Sequence, residues 1–285
     1  MIYENNFALA GTTALMYNVW FQDLFNEDGS KKNPSLEDVG FRYKKTSVST
    51  WNEYSIKEQG RIFNNISAIL EEGTLSENIY VQRYRVYKNY IYPCRILIEG
   101  LDSETSYQIE SYYTINGQKT FYNRQTISTL PDTSNISYDE ITWSSVNPVP
   151  EDKKEEARMI VESALSEMTK IYRMFCPVEW HFSPSCYWVD DGIAADSSMT
   201  INVRNVDSYE ARTVLVHEMA HNFFIQNRNE QASDIIKFME FATGVEGAMW
   251  KDTGLHNYPI ISSARYSYMD DCLVAAACWV SKQNT

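Results

Sequence analysis

His217-Glu218-Met219-Ala220-His221 constrains this chain more than any other stretch of it. Side chains four positions apart lie on one face of an α-helix, one turn from each other. Two imidazoles placed in that way can point at a single metal ion, and a glutamate beside the first can reach a water held there. The spacing predicts a helix, and the surrounding residues predict the same. Asp207 and Glu210 have the N-cap and N3 spacing of a capping box. Val214, Leu215, Val216, Met219, Ala220, Phe223 and Phe224 give an apolar body to a helix over residues 208–225. Histidines on such a helix need polar partners, because a buried imidazole without one is costly, and a metal ion is the simplest. The plain alternative is a helix with two surface histidines.

A metal held this way needs a third ligand. The continuation HExxHxxGxxH is absent, because Phe224 and Asn227 occupy its glycine and last histidine positions. Glu240 follows His221 after 18 intervening residues, giving HExxH-x18-E. Ser233 can cap a second helix over 234–243, with Ile235, Ile236, Phe238, Met239 and Ala242 apolar and Gly244 as its stop. Glu240 could also be a glutamate on a solvated helix face. Its rivals as ligand are His256, the one histidine downstream of the motif, then Glu246, Asp270 and Asp271.

Residues 217–242 resemble the active-site segment of the gluzincins, the aminopeptidase N-like and thermolysin-like zinc peptidases. The likeness lies in the HExxH string, in His221-Asn222-Phe223-Phe224, and in Met239-Glu240-Phe241-Ala242. It implies Zn2+ held by His217, His221 and Glu240, with Glu218 as general base in peptide-bond hydrolysis without a covalent enzyme intermediate. It also implies an active-site helix, a glutamate helix and a small sheet above them. Gluzincins carry a downstream histidine or tyrosine that hydrogen-bonds the developing oxyanion, and His256, Tyr258, Tyr266 and Tyr268 are the candidates, with His256 and Tyr268 foremost. Each tyrosine could equally be a packing residue. In another alignment Tyr268-Met269-Asp270 resembles the methionine turn of the other large zinc-peptidase class, which would make His256 the third ligand; the missing glycine argues against it.

Charge and histidine divide the chain. Of the formal net charge of −13, residues 1–131 carry −2 and residues 132–285 carry −11, and all four histidines lie in the second part. Such an acidic chain is not expected to bind nucleic acid, which demands a basic face. Leu130-Pro131-Asp132-Thr133-Ser134-Asn135 suits a linker. The expected architecture is multidomain: an all-β sandwich over 1–131, then an α+β zincin-like metallopeptidase domain over 132–285.

The first part predicts strands at 7–10, 14–21, 39–43, 79–87, 95–98, 107–115 and 120–128, rich in β-branched and aromatic residues. Asn116-Gly117 is a strong signal for a hairpin between the last two. Residues 95–131 resemble the second half of a fibronectin type III-like domain, in the run from Gly100-Leu101-Asp102 to Ser106-Tyr107 and in Ser128-Thr129-Leu130-Pro131. Leu101 and Tyr107 match the corner where a tyrosine closes that sandwich. The likeness leaves residues 47–76 unexplained. No catalytic or metal-ligand cluster stands out in 1–131, and domains of this kind usually serve as spacers or binding modules.

The second part predicts an amphipathic helix opened by Pro150 and Glu151 and running through Phe175. Its stripe is Ala157, Ile160, Val161, Ala164, Leu165, Met168, Ile171 and Tyr172, and Cys176-Pro177 stops it. Strands are expected at 178–182, carrying His181 as an ordinary strand histidine, and at 199–203. The latter is the candidate edge for pairing an extended substrate, an ordinary sheet strand being the alternative. An apolar helix closes the chain over 272–282.

The five cysteines, Cys94, Cys176, Cys186, Cys272 and Cys278, form no CxxC pair. Cys176 and Cys186 could bridge in an exported chain or remain buried thiols. No signal peptide or transmembrane run is visible, and a targeting segment could precede residue 1. The domain resemblance implies a secreted or cell-surface-anchored protein. Three functions compete. The first is a zinc endopeptidase acting on a protein or peptide substrate, with glycoproteins among the candidates. The second is a surface adhesion or glycan-binding protein with a catalytically silent zinc site, which a fourth protein ligand would favour. The third is an exopeptidase, which would need a substrate-amine motif that the sequence does not display. The acidic catalytic half favours basic or neutral substrate segments.

Overall fold

The computed structural model describes residues 7–20, 24, 31–56, 72–76, 78–83, 93–190, 195, 198–204 and 222. The chain divides after Asp132 into two compact units.

Among the described residues the first unit is built on strands: β1 (Phe7–Ala10), β2 (Leu15–Trp20), β3 (Leu36–Lys45), β4 (Asn52–Ser55), β5 (Glu72–Ser76), β6 (Ile79–Arg83), β7 (Pro93–Ile98), β8 (Ser106–Ile115) and β9 (Gln118–Ser128). They form two antiparallel sheets, ordered β1-β2-β7-β6-β5 and β4-β3-β8-β9. Alternate residues of both sheets enter one core. Leu15, Tyr17, Ile79, Ile96 and Ile98 come from the first sheet, and Leu36, Val39, Phe41, Tyr107 and Ile109 from the second. Each such side chain contributes about 1.5–3 kcal/mol by leaving water. Across this core the hydroxyls of Tyr17 and Ser111 are hydrogen-bonded at 2.7 Å, and burial pushes the phenol well above its ordinary pKa.

The turn chemistry follows the sequence. Asn116 and Gly117, with φ of 48° and 73°, form the two-residue loop between Ile115 and its partner Gln118. Two positive φ values are what a hairpin turn matching strand twist requires. The Tyr107 hydroxyl accepts the Asp102 backbone N–H at 2.9 Å, closing the corner before β8. Thr129 fastens the same loop to the end of β9. Its hydroxyl donates to the Asp102 carbonyl at 2.7 Å and accepts the Thr105 N–H at 2.9 Å.

Strands β4 and β5 were not expected. The first is short and polar, and both lie in the segment the sequence pattern leaves unexplained. Strand β3 is longer than the expected 39–43, because its ends are carried by pairing with β8 rather than by apolar residues of their own.

In the second unit the described elements are β10 (Asn135–Tyr138), β11 (Thr142–Trp143), a 3-10 turn at Glu151–Lys153, α1 (Lys154–Phe175), β12 (Glu179–Phe182), β13 (Ser185–Tyr187) and β14 (Thr200–Asn202). Strand β10 pairs parallel with β12, and β11, β13 and β14 form a second parallel sheet. Helix α1 buries Ala157, Val161, Ala164, Leu165, Tyr172 and Phe175. Its first turn is 3-10 rather than α, and it ends where Cys176 turns extended ahead of Pro177, the Cys176 N–H still bonded to the Tyr172 carbonyl at 2.7 Å. Arg173 donates from Nε to the Ile136 carbonyl at 3.1 Å, fixing α1 to β10. The expected linker is shorter than the polar run, since β10 already begins at Asn135. Cys176 and Cys186 are both buried free thiols, so the bridge considered for them is not formed. The helices expected at 208–225, 234–243 and 272–282 lie outside the described residues, apart from Asn222, which is helical.

Candidate functional site

His217, Glu218, His221, Glu240, His256 and Tyr268 all lie outside the described residues, as do Glu246, Tyr258, Tyr266, Asp270 and Asp271. The described chain comes nearest to them at Asn222, the residue after His221. Asn222 is helical and 8% exposed. Its side-chain carbonyl accepts the indole N–H of Trp180 at 3.0 Å.

Trp180 is held in place by its own strand and by α1. It sits on β12, where alternation turns Trp180 and Phe182 inward and Glu179 and His181 outward. Its ring meets Tyr172 of α1 edge-on at 5.0 Å between centroids, and Phe182 at 4.9 Å. Phe182 in turn stacks on Tyr138 of β10 at 5.6 Å. An aromatic cluster from α1, β10 and β12 thus ends in an indole donor on Asn222. Nothing in the sequence singles out Trp180 beyond its inward position on a strand, and its acceptor lies 42 residues away.

The donor set proposed for zinc is two imidazole nitrogens and one carboxylate oxygen, with Glu218 outside it. That composition fits Zn2+ with a coordination position left open. Among the described residues no group of three His, Cys, Asp or Glu side chains could hold a metal.

His181 was expected to be an ordinary strand histidine. Its Nδ1 is hydrogen-bonded to Ser137 Oγ at 2.9 Å, across the Ser137–His181 register pair, and its Nε2 lies 3.2 Å from Asp139 Oδ1. The Asp139 carboxyl is held below its usual range, first by the Ser183 hydroxyl and then by His181. Serine, histidine and aspartate are the parts of a nucleophilic triad, but His181 and Asp139 are each 54% exposed. A triad gains its rate from a sheltered imidazolium and preorganised donors. The open face suits a structural link between β10 and β12.

Strand β14 covers the core of the expected 199–203 and is the last strand of its sheet. Ile201 pairs with Cys186 on one side and with Ala195 by an antiparallel bridge on the other. The edge considered for substrate is therefore occupied at its centre by this chain's own Ala195. Asn202, fully buried, bonds the main chain of Val189 in both directions, at 3.2 and 2.8 Å.

No family model matches the chain, and no curated protein matches it. A solved structure with some likeness is that of Astrotactin-2, a conserved vertebrate-specific and perforin-like membrane protein involved in neuronal development. The identity is 12% and the TM-score 0.30, over 57% of this chain and 23% of that one. A likeness this low carries no argument about fold or function. Among the described residues no helix is long and apolar enough to cross a membrane.

Proposed function

We propose that the chain is a zinc-dependent endopeptidase, with a fibronectin type III-like sandwich ahead of a zincin-like catalytic domain. The observation that carries this reading is the HExxH-x18-E pattern formed by His217, Glu218, His221 and Glu240. A helical, buried Asn222 directly after the motif accords with it. The Tyr107 corner and the Asn116-Gly117 hairpin support the reading of the first unit.

His217, His221 and Glu240 would hold zinc, which would supply Lewis acidity toward the scissile carbonyl and acidify water. Glu218 takes the proton of the attacking water and delivers it to the leaving amine. His256 or Tyr268 donates a hydrogen bond to the oxygen that gains negative charge as the carbonyl is attacked. The substrate is a polypeptide, with secreted or surface glycoproteins as candidates, and the enzyme acts outside the cell or anchored to its surface.

The test is cleavage of a diverse peptide library by zinc-loaded protein, with products mapped by mass spectrometry. Zinc-dependent cuts within chains are expected. Trimming from one end only would assign an exopeptidase, and no cleavage beside tight zinc binding would favour the adhesion reading.

A further inference from the structure

We propose that Asn116-Gly117 is a site of spontaneous deamidation, and that the Glu37 carboxylate sets its rate by holding the Gly117 N–H. The inference is independent of the peptidase reading. The reaction needs the Gly117 nitrogen to lose its proton and attack Asn116 Cγ. The side-chain nitrogen then leaves as ammonia, carrying off a proton in place of the one lost, and a succinimide remains. Water opens the succinimide at either carbonyl, leaving aspartate or isoaspartate at position 116. Water is the only co-reactant.

Asn116 and Gly117 are both exposed, so water reaches the carboxamide and ammonia can leave. A Cβ at position 117 would meet nothing within 4 Å, so no neighbour crowds the glycine. The turn is instead held by its amides. Gly117 N–H donates to Glu37 Oε1 at 3.0 Å, and Asn116 N–H to the Ser35 carbonyl at 3.4 Å. Both acceptors belong to the stretch that enters β3. A carboxylate there opposes the first step in two ways: its hydrogen bond keeps the proton on nitrogen, and its charge disfavours the amide anion. The same bond fixes the peptide between the two residues in the left-handed turn, with φ of 48° and 73°. Isoaspartate adds a methylene to the main chain of a turn whose geometry sets the Ile115–Gln118 register. Aspartate keeps the chain length and puts a second negative charge beside the amide that Glu37 holds. The modification therefore loosens the β8–β9 hairpin as the protein ages.

The test keeps the full-length protein at neutral pH and physiological temperature and follows position 116 by peptide mapping that separates asparagine, aspartate and isoaspartate. Deamidation in the folded wild type is expected. Glu37→Ala is expected to react about fivefold faster, less than the roughly tenfold or more of a buried charged hydrogen bond, because this one is open to water. Glu37→Gln keeps an acceptor and loses the charge, so its rate falls between the two. Tyr107→Phe weakens the first unit away from the turn and is expected to react at the wild-type rate. A folded wild type that keeps Asn116 intact while the urea-unfolded chain deamidates would overturn the site. Three results would overturn the role of Glu37: an unchanged rate in Glu37→Ala, a slower one, which would make the carboxylate a base that starts the reaction, or equal acceleration by Tyr107→Phe, which would trace the rate to opening of the whole unit.

Discussion

Arg42 on β3 and Glu110 on β8 are opposed in register, with Arg42 Nε 2.5 Å from Glu110 Oε1. A register shift in β9, with Asn123 at φ 54°, brings Arg124 alongside, its Nε 2.6 Å from Glu110 Oε2. Glu110 is 2% exposed on the outward side of its sheet because the arginines and their stacked rings cover it. The Arg42 guanidinium lies 4.3 Å from the Trp51 ring centre and 3.4 Å from that of Phe121. Burial raises the Glu110 pKa, but the hydrogen bonds and charges of Arg124 and Arg42 outweigh it, so the carboxyl ends below its ordinary range.

Glu110→Gln should therefore destabilise the first unit at neutral pH by about 2 kcal/mol, less than the roughly 3–5 kcal/mol of fully buried pairs because Arg124 is half in water. The sign with pH is fixed by the lowered pKa. The stabilisation is complete above the ordinary glutamate pKa and is lost as pH falls through the folded value. Urea titrations of wild type and variant should differ at pH 7 and converge in acid. A gap that widens in acid would contradict this.

Tyr107→Phe removes one hydroxyl from a buried corner. The Asp102 N–H loses its acceptor, and a loss of about 1 kcal/mol is expected from urea unfolding. An unchanged midpoint would mean that water replaces the hydroxyl there.

Gly40 faces Tyr112 across β3 and β8, and a Cβ on it would stand 2.5 Å from Tyr112 Cζ and press on the Tyr54 carbonyl. The ring can turn away; the Tyr54 backbone cannot without breaking the β3–β4 pairing. Gly40→Ala should destabilise by about 1–3 kcal/mol, in the range of overpacked cores. Tyr112→Ala in the same chain should recover little of it, as read by thermal melting.

Cys186 is a buried thiol whose pKa burial pushes up to about 12. Thiolate is the reactive form, so Cys186 should stay unalkylated by iodoacetamide at pH 8 in the folded protein and react fully in urea. Peptide mapping would read this directly. Labelling of Cys186 in the native state would show that the second unit opens readily.

The sequence shows local devices well and distant pairings poorly. Asn116-Gly117 and the Leu101–Tyr107 corner depend on neighbours in the chain, and both form as residue type predicts. The HExxH spacing is a local signal as well, and the helix it predicts lies outside the described residues. Strands β10, β11 and β13 carry two to four residues each and pair parallel with partners about 40 residues on for β10 and β11, so no period announces them. The Trp180–Asn222 bond is of that kind too: each residue is ordinary alone, and only folding makes them partners.

In the proposed mechanism Glu218 works on water at a zinc held by its neighbours. The direct measurement is peptide hydrolysis by wild type and Glu218→Gln, with the zinc content of both preparations determined alongside. Equal zinc in the two proteins is expected, with turnover in the variant reduced at least a hundredfold, as for a general base contributing about 10²–10⁴ in rate. Turnover retained by a zinc-loaded Glu218→Gln protein would contradict it.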